Sequence, residues 1–196
     1  MATKHLIQLD DSYIEYYRNL LSNTQAQALY RTLNETLDWQ QEHIQIFGKT
    51  IASPRLQCFY GDLDVAYRYS GRTFIATPWT DTLAKLKHLI SSQTGYPFNG
   101  VLCNLYRNGQ DAMGWHSDNE PELGQNPVIA SFSLGETRNF SLRKTKHTKQ
   151  CLSLPLEHNS LLLMPEGFQS LYQHAVSRSK KNNDARINLT FRMFYN

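Results

Sequence analysis

The chain has 196 residues, 40% of them hydrophobic, and a formal net charge of +3, which fits one globular domain with a buried core. No apolar run approaches the roughly 18 residues of a membrane span, and the N-terminus lacks the pattern of a secretory signal. Its cysteines, Cys58, Cys103 and Cys151, are widely spaced without a CxxC pair, which excludes a zinc-finger set and a disulfide framework. We therefore expect an intracellular protein, cytoplasmic in a bacterium and nuclear in a eukaryote.

The first 43 residues are predicted to form a helical extension. The stretch SNTQAQALYRTLNETLDW begins with Ser22 or Asn23 as a cap and then repeats apolar side chains at helical spacing, namely Ala26, Leu29, Tyr30, Leu33 and Leu37. Further along the chain, TPWTDTLAKLKHLISSQTG predicts a second helix that ends at Gly95.

Residues 44–76 lie between these two helices and combine a hairpin with aromatic and basic residues. The letters IQIFGKTI predict a tight hairpin with Phe47 and Gly48 at its tip. The residues after it interleave aromatic rings with arginines, namely Arg55, Phe59, Tyr60, Tyr67, Arg68 and Tyr69. Such residues can stack bases and bind phosphates, although they are more often ordinary core and sheet positions.

From residue 98 onward the pattern changes to short runs of period two, separated by turn residues. Examples are FNGVLCNLYRNG, NPVIASFSLGETRNFSLRK and QCLSLPLEHNSLLLMPEG. That many short strands after two helices predict an α+β protein with a β-sandwich or jelly-roll core. Two basic loops, RKTKHTK and SRSKKNNDAR, would either contact phosphates or form solvated surface.

The stretch GWHSDNE contains a candidate metal site. Residues i and i+2 of an extended backbone project to the same side, so His116 and Asp118 could bind one ion together. His174, in the strand-like QSLYQHAVS, is the candidate third ligand, which would complete the two-histidine, one-carboxylate triad of non-haem Fe(II) oxygenases. Because an HxD pair is common by chance, structural histidines are the alternative.

The C-terminal stretch ARINLTFRMF alternates polar and apolar side chains, which predicts a strand with one polar face. That face carries Arg186 and Arg192 and would contact either water or an anionic ligand. Oxygenases with the iron triad often use 2-oxoglutarate, whose far carboxylate needs a cation, and arginine meets this need by bidentate pairing. Asn104 and Tyr106, on one face of the predicted strand VLCNLYRNG, would line the same pocket.

Together these residues resemble the AlkB family of Fe(II)- and 2-oxoglutarate-dependent nucleic-acid dealkylating dioxygenases. NLYRNGQDAMGWHSDNE, a later histidine and RINLTFR reproduce, in order, that family's N-x-Y, H-x-D, H and R-x-N-x-T-x-R signature. The resemblance spans residues 44–194 and implies a double-stranded β-helix, or jelly roll, over residues 98–194. It implies iron ligands at His116, Asp118 and His174, and 2-oxoglutarate contacts at Asn104, Tyr106, Arg186, Asn188 and Arg192.

The segment before the core is similar to the human-type DNA repair members of the family. PRLQCFYGD and YRYSG resemble their nucleotide-recognition lid, and IFGK resembles a hairpin whose phenylalanine enters the duplex. The implied substrate contacts are Phe47, Arg55, Tyr60, Tyr67, Tyr69, Ser70 and Glu120. Tyr69 replaces a phenylalanine of the double-strand-preferring member, and we expect it to stack the base against His116. WHSD is closer to the single-strand and RNA-active member, so the strand preference stays open.

The resemblance implies that residues 1–196 form a single dioxygenase domain that repairs DNA by oxidative demethylation. The expected substrates are 1-methyladenine and 3-methylcytosine in single- or double-stranded DNA, flipped out before reaction, and the products are formaldehyde and succinate. Fe(II) is the expected cofactor, with 2-oxoglutarate and dioxygen as cosubstrates. The alternatives are the same core acting on RNA or on a protein side chain, and a lesion-binding module without catalysis. We expect a monomer without membrane association.

Overall fold

The computed structural model describes residues 2–46, 49–69, 72–181 and 184–195, and it gives only the backbone of residues 44–46, 49, 67–69 and 72. The first half of the chain forms β1 (Thr3–Gln8), β2 (Tyr13–Arg18), α1 (Asn23–Thr36), β3 (His43–Ile46), β4 (Lys49–Ala52), β5 (Leu56–Gly61), β6 (Ala66–Tyr69), β7 (Arg72–Ile75), β8 (Thr77–Pro78) and α2 (Asp81–Thr94). The second half forms β9 (Gly100–Tyr106), β10 (Met113–His116), a 3₁₀ turn (Pro121–Leu123), β11 (Ile129–Gly135), β12 (Arg138–Lys144), β13 (Gln150–Leu156), β14 (Ser160–Met164), α3 (Phe168–Leu171), β15 (Tyr172–Val176) and β16 (Arg186–Arg192).

The strands from β9 to β16 wind into a jelly roll. The large sheet has the order β1-β2-β14-β11-β16-β9-β5-β8, and the small sheet has the order β10-β15-β12-β13. Successive strands therefore cross from one sheet to the other at every step except the β12–β13 hairpin, which is how a double-stranded β-helix is wound. The predicted α+β class with a jelly-roll core is confirmed.

Both predicted helices are present, and each begins at a side-chain cap. The Ser22 hydroxyl accepts from the backbone N–H of Gln25, whose side chain bonds back to Ser22, so α1 starts with a capping box. Thr80 caps α2, which ends at Gly95 with φ of 81°. Glycine is suited to this position because a left-handed backbone costs it no Cβ clash.

The prediction of a helical N-terminal extension is wrong for residues 3–18. These residues form β1 and β2, and β2 pairs antiparallel with β14, with Ser160 opposite Arg18. The segment thus adds two strands to one edge of the large sheet, because Ile14 and Tyr16 are buried against the jelly roll. The division of residues 1–196 into an extension, a lid and a core stays a prediction.

Two hydrophobic cores flank the large sheet. One lies between this sheet and the helices, and it contains Leu33 of α1, Ile90 of α2 and Leu189 of β16. The other lies between the two sheets, where Leu162 of the large sheet and Leu142 of the small sheet belong to one cluster. The large sheet is therefore covered on both faces, which positions the polar side chains of its central strands inside the protein.

Two hairpins lie outside these sheets. β3 pairs with β4 and β6 pairs with β7, each as a two-stranded sheet. The hairpin predicted from IQIFGKTI is confirmed in its backbone, where Ile46 pairs with Lys49, while Phe47 and Gly48 lie outside the described residues. Within the part of the chain that the structure describes, no helix is both long and apolar enough to cross a membrane.

Candidate functional site

A cleft opens between the two sheets, on the side of the large sheet away from the helices. It encloses about 670 Å³ of empty space including its open mouth. One wall comes from β5, β9, β11 and β16 of the large sheet, and the other comes from β10, β12 and β15 of the small sheet. Most of the residues predicted to carry chemistry lie in this cleft.

The structure brings His116, Asp118 and His174 together at the small-sheet wall. His116 and His174 are direct register partners on β10 and β15, with ring centroids 4.1 Å apart. Asp118 follows two residues after β10 ends, and its Oδ1 lies 3.8 Å from His116 Nε2. One ligand atom from each residue lies within 4.8 Å of the others, so the three could hold one metal ion.

The protonation states of the two histidines suit metal binding. His116 Nδ1 lies 2.9 Å from the carbonyl of Gly114, which can only accept, so Nδ1 carries the proton and Nε2 presents a lone pair. Burial lowers the pKa of both histidines, and it lowers that of His174 to about 3. Both rings are therefore neutral at pH 7, the form in which imidazole binds a metal.

Asp118 is almost completely buried and nevertheless stays ionised. Its Oδ1 accepts a hydrogen bond of 2.8 Å from Arg192 Nη2. Burial would raise the pKa of this carboxyl, but the charge and the hydrogen bond of Arg192 outweigh burial and hold the pKa at about 2. The site thus contains two neutral imidazoles and one carboxylate.

The polar face of β16 lines the large-sheet wall of the cleft. Arg186, Asn188, Thr190 and Arg192 all face the cleft and are all buried. Asn188 Nδ2 donates to Ser131 at 2.7 Å, and Thr190 donates to Asn188 Oδ1 at 3.0 Å. Of the two alternatives left open for this face, the structure therefore excludes bulk water.

Arg186 is 1% exposed and carries more hydrogen-bond donors than it uses. Its Nη2 donates to Ser133 at 3.0 Å, and its guanidinium lies 5.2 Å from the centre of the Tyr106 ring. Its Nε and Nη1 have no hydrogen-bond partner among the described residues. A buried cation with open donors is costly, so this position suits an anionic ligand.

Asn104 on β9 is oriented by two side chains from β5 and the residue just before it. Its Oδ1 accepts from Arg55 Nε at 2.8 Å and from Gln57 Nε2 at 3.1 Å. Because both donors occupy the carbonyl oxygen, the amide nitrogen of Asn104 is left for a ligand in the cleft. Arg55 is itself buried in the cleft wall.

The predicted substrate contacts divide into three groups: those that line the cleft, those outside the described residues, and Tyr60, which lies elsewhere. Glu120 lines the cleft near the metal cluster, its Oε2 has no partner among the described residues, and burial raises its pKa. Phe47 and Ser70 lie outside the described residues, as do the side chains of Tyr67 and Tyr69.

Tyr60 is not brought to the cleft, which does not support its predicted contact with substrate. It is 4% exposed within the core beneath the helices, where its hydroxyl accepts from the Asp38 N–H at 3.4 Å. The physical reason is strand alternation, because Gln57 and Tyr60 project to opposite faces of β5.

Several residues that the sequence did not single out complete the site. Ser131 and Ser133 are inward positions of β11, opposite Thr190 and Asn188 of β16. Their period-two spacing was visible in the sequence, but serine at such a spacing is too common to indicate a role. Gln57 and Gln169 gave no signal at all, since their partners come from distant parts of the chain.

Comparison with known proteins identifies the family. Residues 13–192 match the model of the 2OG-Fe(II) oxygenase superfamily. Over 186 residues the chain is 33% identical to the DNA oxidative demethylase ALKBH2 of Mus musculus. This alignment covers 90% of this chain and 78% of that protein. The chain belongs to the AlkB family. The match to the superfamily model begins at residue 13 rather than 44, so it includes β2 and α1.

Other relatives agree with this assignment. The alkB homolog 3 dioxygenase of Homo sapiens is 37% identical over 188 residues, which is 91% of this chain and 65% of that protein. The chain spans 62% of the length of the Bos taurus alkB homolog 3, with which it shares 39% identity over 87% of its own residues. The solved structure of OsALKBH1 matches at a TM-score of 0.64 and 18% identity, covers 96% of this chain and 100% of that one, and shows the fold alone. The cofactors predicted from the sequence, Fe(II) and 2-oxoglutarate, are those of the superfamily.

Proposed function

We propose that this AlkB-family chain is an Fe(II)- and 2-oxoglutarate-dependent dioxygenase that demethylates alkylated bases in DNA, such as 1-methyladenine and 3-methylcytosine. The observation that carries the proposal is the position of two complementary sites in one cleft. The cluster of His116, Asp118 and His174 can hold a metal ion, and Arg186 offers open donors to an anion. The products would be formaldehyde and succinate.

The donor set of the cluster fits Fe(II). Two neutral imidazoles and one carboxylate occupy one side of a metal and leave other positions open, as in non-haem Fe(II) oxygenases. Iron bound there, together with 2-oxoglutarate, would supply the activation of dioxygen that oxidises an N-methyl group. Arg192 holds the Asp118 carboxylate in a fixed direction, and Gly114 holds the His116 ring.

The polar wall fits 2-oxoglutarate. Arg186 would pair with the far carboxylate through its open donors, in the geometry that makes guanidinium a strong carboxylate partner. Asn104, Tyr106 and Asn188 would contact the cosubstrate along its length, and Arg192, beside Asp118, would contact the carboxylate nearest the metal. Ser131 and Ser133 fix the wall in place.

The open mouth of the cleft would take the alkylated base. Glu120 and Arg55 lie in its lining, and Tyr69, Tyr67, Ser70 and Phe47 would come from the lid. Relatives of this chain are named DNA oxidative demethylases, which supports DNA as the substrate. Because a methylated base pairs poorly, flipping it out of a helix costs less than flipping a normal base.

Mass spectrometry of 1-methyladenine oligonucleotides tests the proposal. Single-stranded DNA, duplex DNA and single-stranded RNA of one sequence are each incubated in air with protein, Fe(II) and 2-oxoglutarate. We expect loss of one methyl group from DNA, and no loss when 2-oxoglutarate is omitted. Succinate without demethylation of any oligonucleotide would reject nucleic acid as the substrate. No succinate, with tight lesion binding, would favour a non-catalytic binder, and preferential loss from RNA would favour the RNA alternative.

We also propose that the chain acts inside the cell as a monomer. Cys58, Cys103 and Cys151 are free thiols in the structure, as expected where disulfides are kept reduced. Light scattering after size exclusion would measure the mass in solution, and a dimer mass would reject the monomer.

A further inference from the structure

Asp118 is the member of the metal cluster that the sheet does not hold. His116 and His174 are paired within the ladder of β10 and β15, so the strands fix their positions. β10 ends at His116, and Asp118 lies in irregular chain beyond it. Its backbone therefore needs another anchor if the carboxylate is to meet the two imidazoles.

Gln169 provides that anchor. The backbone N–H of Asp118 donates to Gln169 Oε1 at 2.9 Å, and the Gln169 side chain is 3% exposed. The other end of this amide makes a poor contact, because among the described residues its Nε2 reaches only the thioether sulfur of Met164, at 3.4 Å. An apolar side chain of similar shape would fill this space without burying a weakly satisfied amide, so packing alone does not explain a glutamine here.

The corner around α3 is built to present Gln169 to Asp118. Gly167, which precedes the short helix α3, has φ of 78°, in the left-handed region that glycine adopts without a Cβ clash. Phe168 is fully buried and stacks on Tyr172 at 5.1 Å, which fixes the helix against the core. Ser117 donates to the carbonyl of Tyr172 at 3.0 Å. Two consecutive residues, Ser117 and Asp118, are thus tied to the same corner.

We propose that Gln169 is a positioning residue for Asp118, and that it sets the metal affinity of the cluster by holding the Asp118 backbone. This inference rests on the proposed function in one respect, since it takes the cluster to be the metal site. Residues that orient a metal ligand by a hydrogen bond typically change metal affinity by about 10- to 100-fold when removed. Gln169→Met should therefore weaken metal binding by about this factor.

Calorimetric titration of the full-length apoprotein with Mn(II) alone tests this. Gln173→Met is the matched control, because Gln173 neighbours His174 in sequence but accepts from Arg143, at 2.9 Å from its Nε. We expect weaker Mn(II) binding by Gln169→Met and an unchanged dissociation constant for Gln173→Met. At saturating Co(II), the absorption bands of Gln169→Met should differ from wild type, because the carboxylate meets the metal in an altered direction.

A second variant keeps the inference testable if Gln169→Met folds poorly. Gln169→Glu retains an oxygen acceptor for the Asp118 N–H, so its Mn(II) affinity should not fall. Unchanged Mn(II) affinity in folded Gln169→Met, or an equal loss in Gln173→Met, would overturn the inference while leaving the metal site intact. Absence of Mn(II) binding by the wild type, under conditions where the protein is folded, would overturn the proposed function as well.

Discussion

The wall of the cleft and the two hairpins outside the main sheets are built in opposite ways. On the wall, every residue of β16 from Arg186 to Arg192 is buried, and the strand is paired on both sides within the large sheet. Within the described residues, β3 and β4 pair only with each other, and so do β6 and β7. Apolar side chains on or near these hairpins are exposed: Ile51 at 44%, Leu63 at 81% and Ile75 at 76%. Central strands of a covered sheet are rigid, whereas an isolated two-stranded ribbon is marginally stable on its own.

This difference matches the demands of the two proposed ligands. A small dicarboxylate and a metal ion need fixed donors, and the wall provides them with Arg186 and Arg192 already held by neighbours. A nucleic-acid strand is larger and variable in shape. Ribbons with exposed apolar side chains can adapt to such a ligand and contact it. Variants of the wall should therefore abolish or weaken catalysis on every substrate, while variants of the hairpins should act on some substrates more than others.

Removing the metal carboxylate should have the largest effect on the wall. Asp118→Ala leaves two imidazoles without the anionic ligand, so demethylation and succinate formation should both fall to background. Glu157→Ala, which removes an exposed carboxylate paired with Arg18 at 2.9 Å, is the control and should retain both activities. Both products are measured in one reaction by mass spectrometry. Normal succinate formation by Asp118→Ala would count against the cluster as the iron site.

Removing the buried cation at the other end of the wall should have the next largest effect. Arg186→Met should raise the KM for 2-oxoglutarate by about 10- to 100-fold, because hydrogen bonds to a charged group contribute about 1.5 to 3 kcal/mol. Ser133→Ala is the graded control, since it removes only the partner of Nη2 and leaves the charge in place. The rate of succinate formation, measured against 2-oxoglutarate concentration, gives the KM of each variant. An unchanged KM in folded Arg186→Met would exclude this arginine as the carboxylate partner.

The wall was largely predictable from the sequence, for physical reasons. Period-two alternation in RINLTFR placed Arg186 and Arg192 on one face, and the i, i+2 spacing of His116 and Asp118 placed both side chains at one site. These signals are local, so the sequence alone carries them. The choice of His174 as their partner depended on the strand-like pattern around it and on the order of the family motifs.

What the sequence could not predict depends on long-range pairing. β1 and β2 are strands because β2 completes the edge beside β14, more than 140 residues away in the chain. β1 itself is mostly exposed, so it has no clear apolar face that would indicate a strand. Tyr60 and Gln57 differ by three positions, yet only the pairing of β5 with β9 decides which of them meets the cleft. The role of Gln169 likewise depends on a fold that brings it to Asp118.

The hairpin at residues 43–52 should separate duplex from single-stranded substrates. Phe47→Ala should lower turnover of duplex 1-methyladenine DNA by about tenfold and leave single-stranded DNA unaffected, because a wedge replaces stacking energy of about 1 to 3 kcal/mol only where a base pair is opened. Ile51→Ala, on β4 of the same hairpin, is the control for general loss of apolar surface. Initial rates on the two substrates give the ratio. An equal fall on both would reject the wedge and assign Phe47 to ordinary strand binding.

The smallest effect should come from removing Arg107, which links the cleft wall to the chain beside the β3–β4 hairpin, and this effect should depend on pH. Arg107, just after β9, donates to Asp111 through Nε at 2.7 Å and to Gln41, beside β3, through Nη1 at 3.1 Å. Burial would raise the pKa of Asp111, but its hydrogen bonds with Arg107 lower it below the ordinary value of 3.8. A carboxyl with a lowered pKa stabilises the fold above its unfolded pKa, and this contribution is lost as pH falls through the folded value.

Arg107→Ala should therefore lower the free energy of unfolding by about 1 kcal/mol at pH 7, since Arg107 is partly exposed and its ion pair is screened by solvent. The difference from wild type should shrink below about pH 4, where Asp111 is protonated in the unfolded chain. Urea unfolding at pH 7 and pH 3 measures it, with Arg18→Ala as the control because its pair with Glu157 is exposed on both sides. A difference that persists unchanged at pH 3 would mean that Arg107 joins the wall to the hairpin by packing and by Gln41 rather than by its charge.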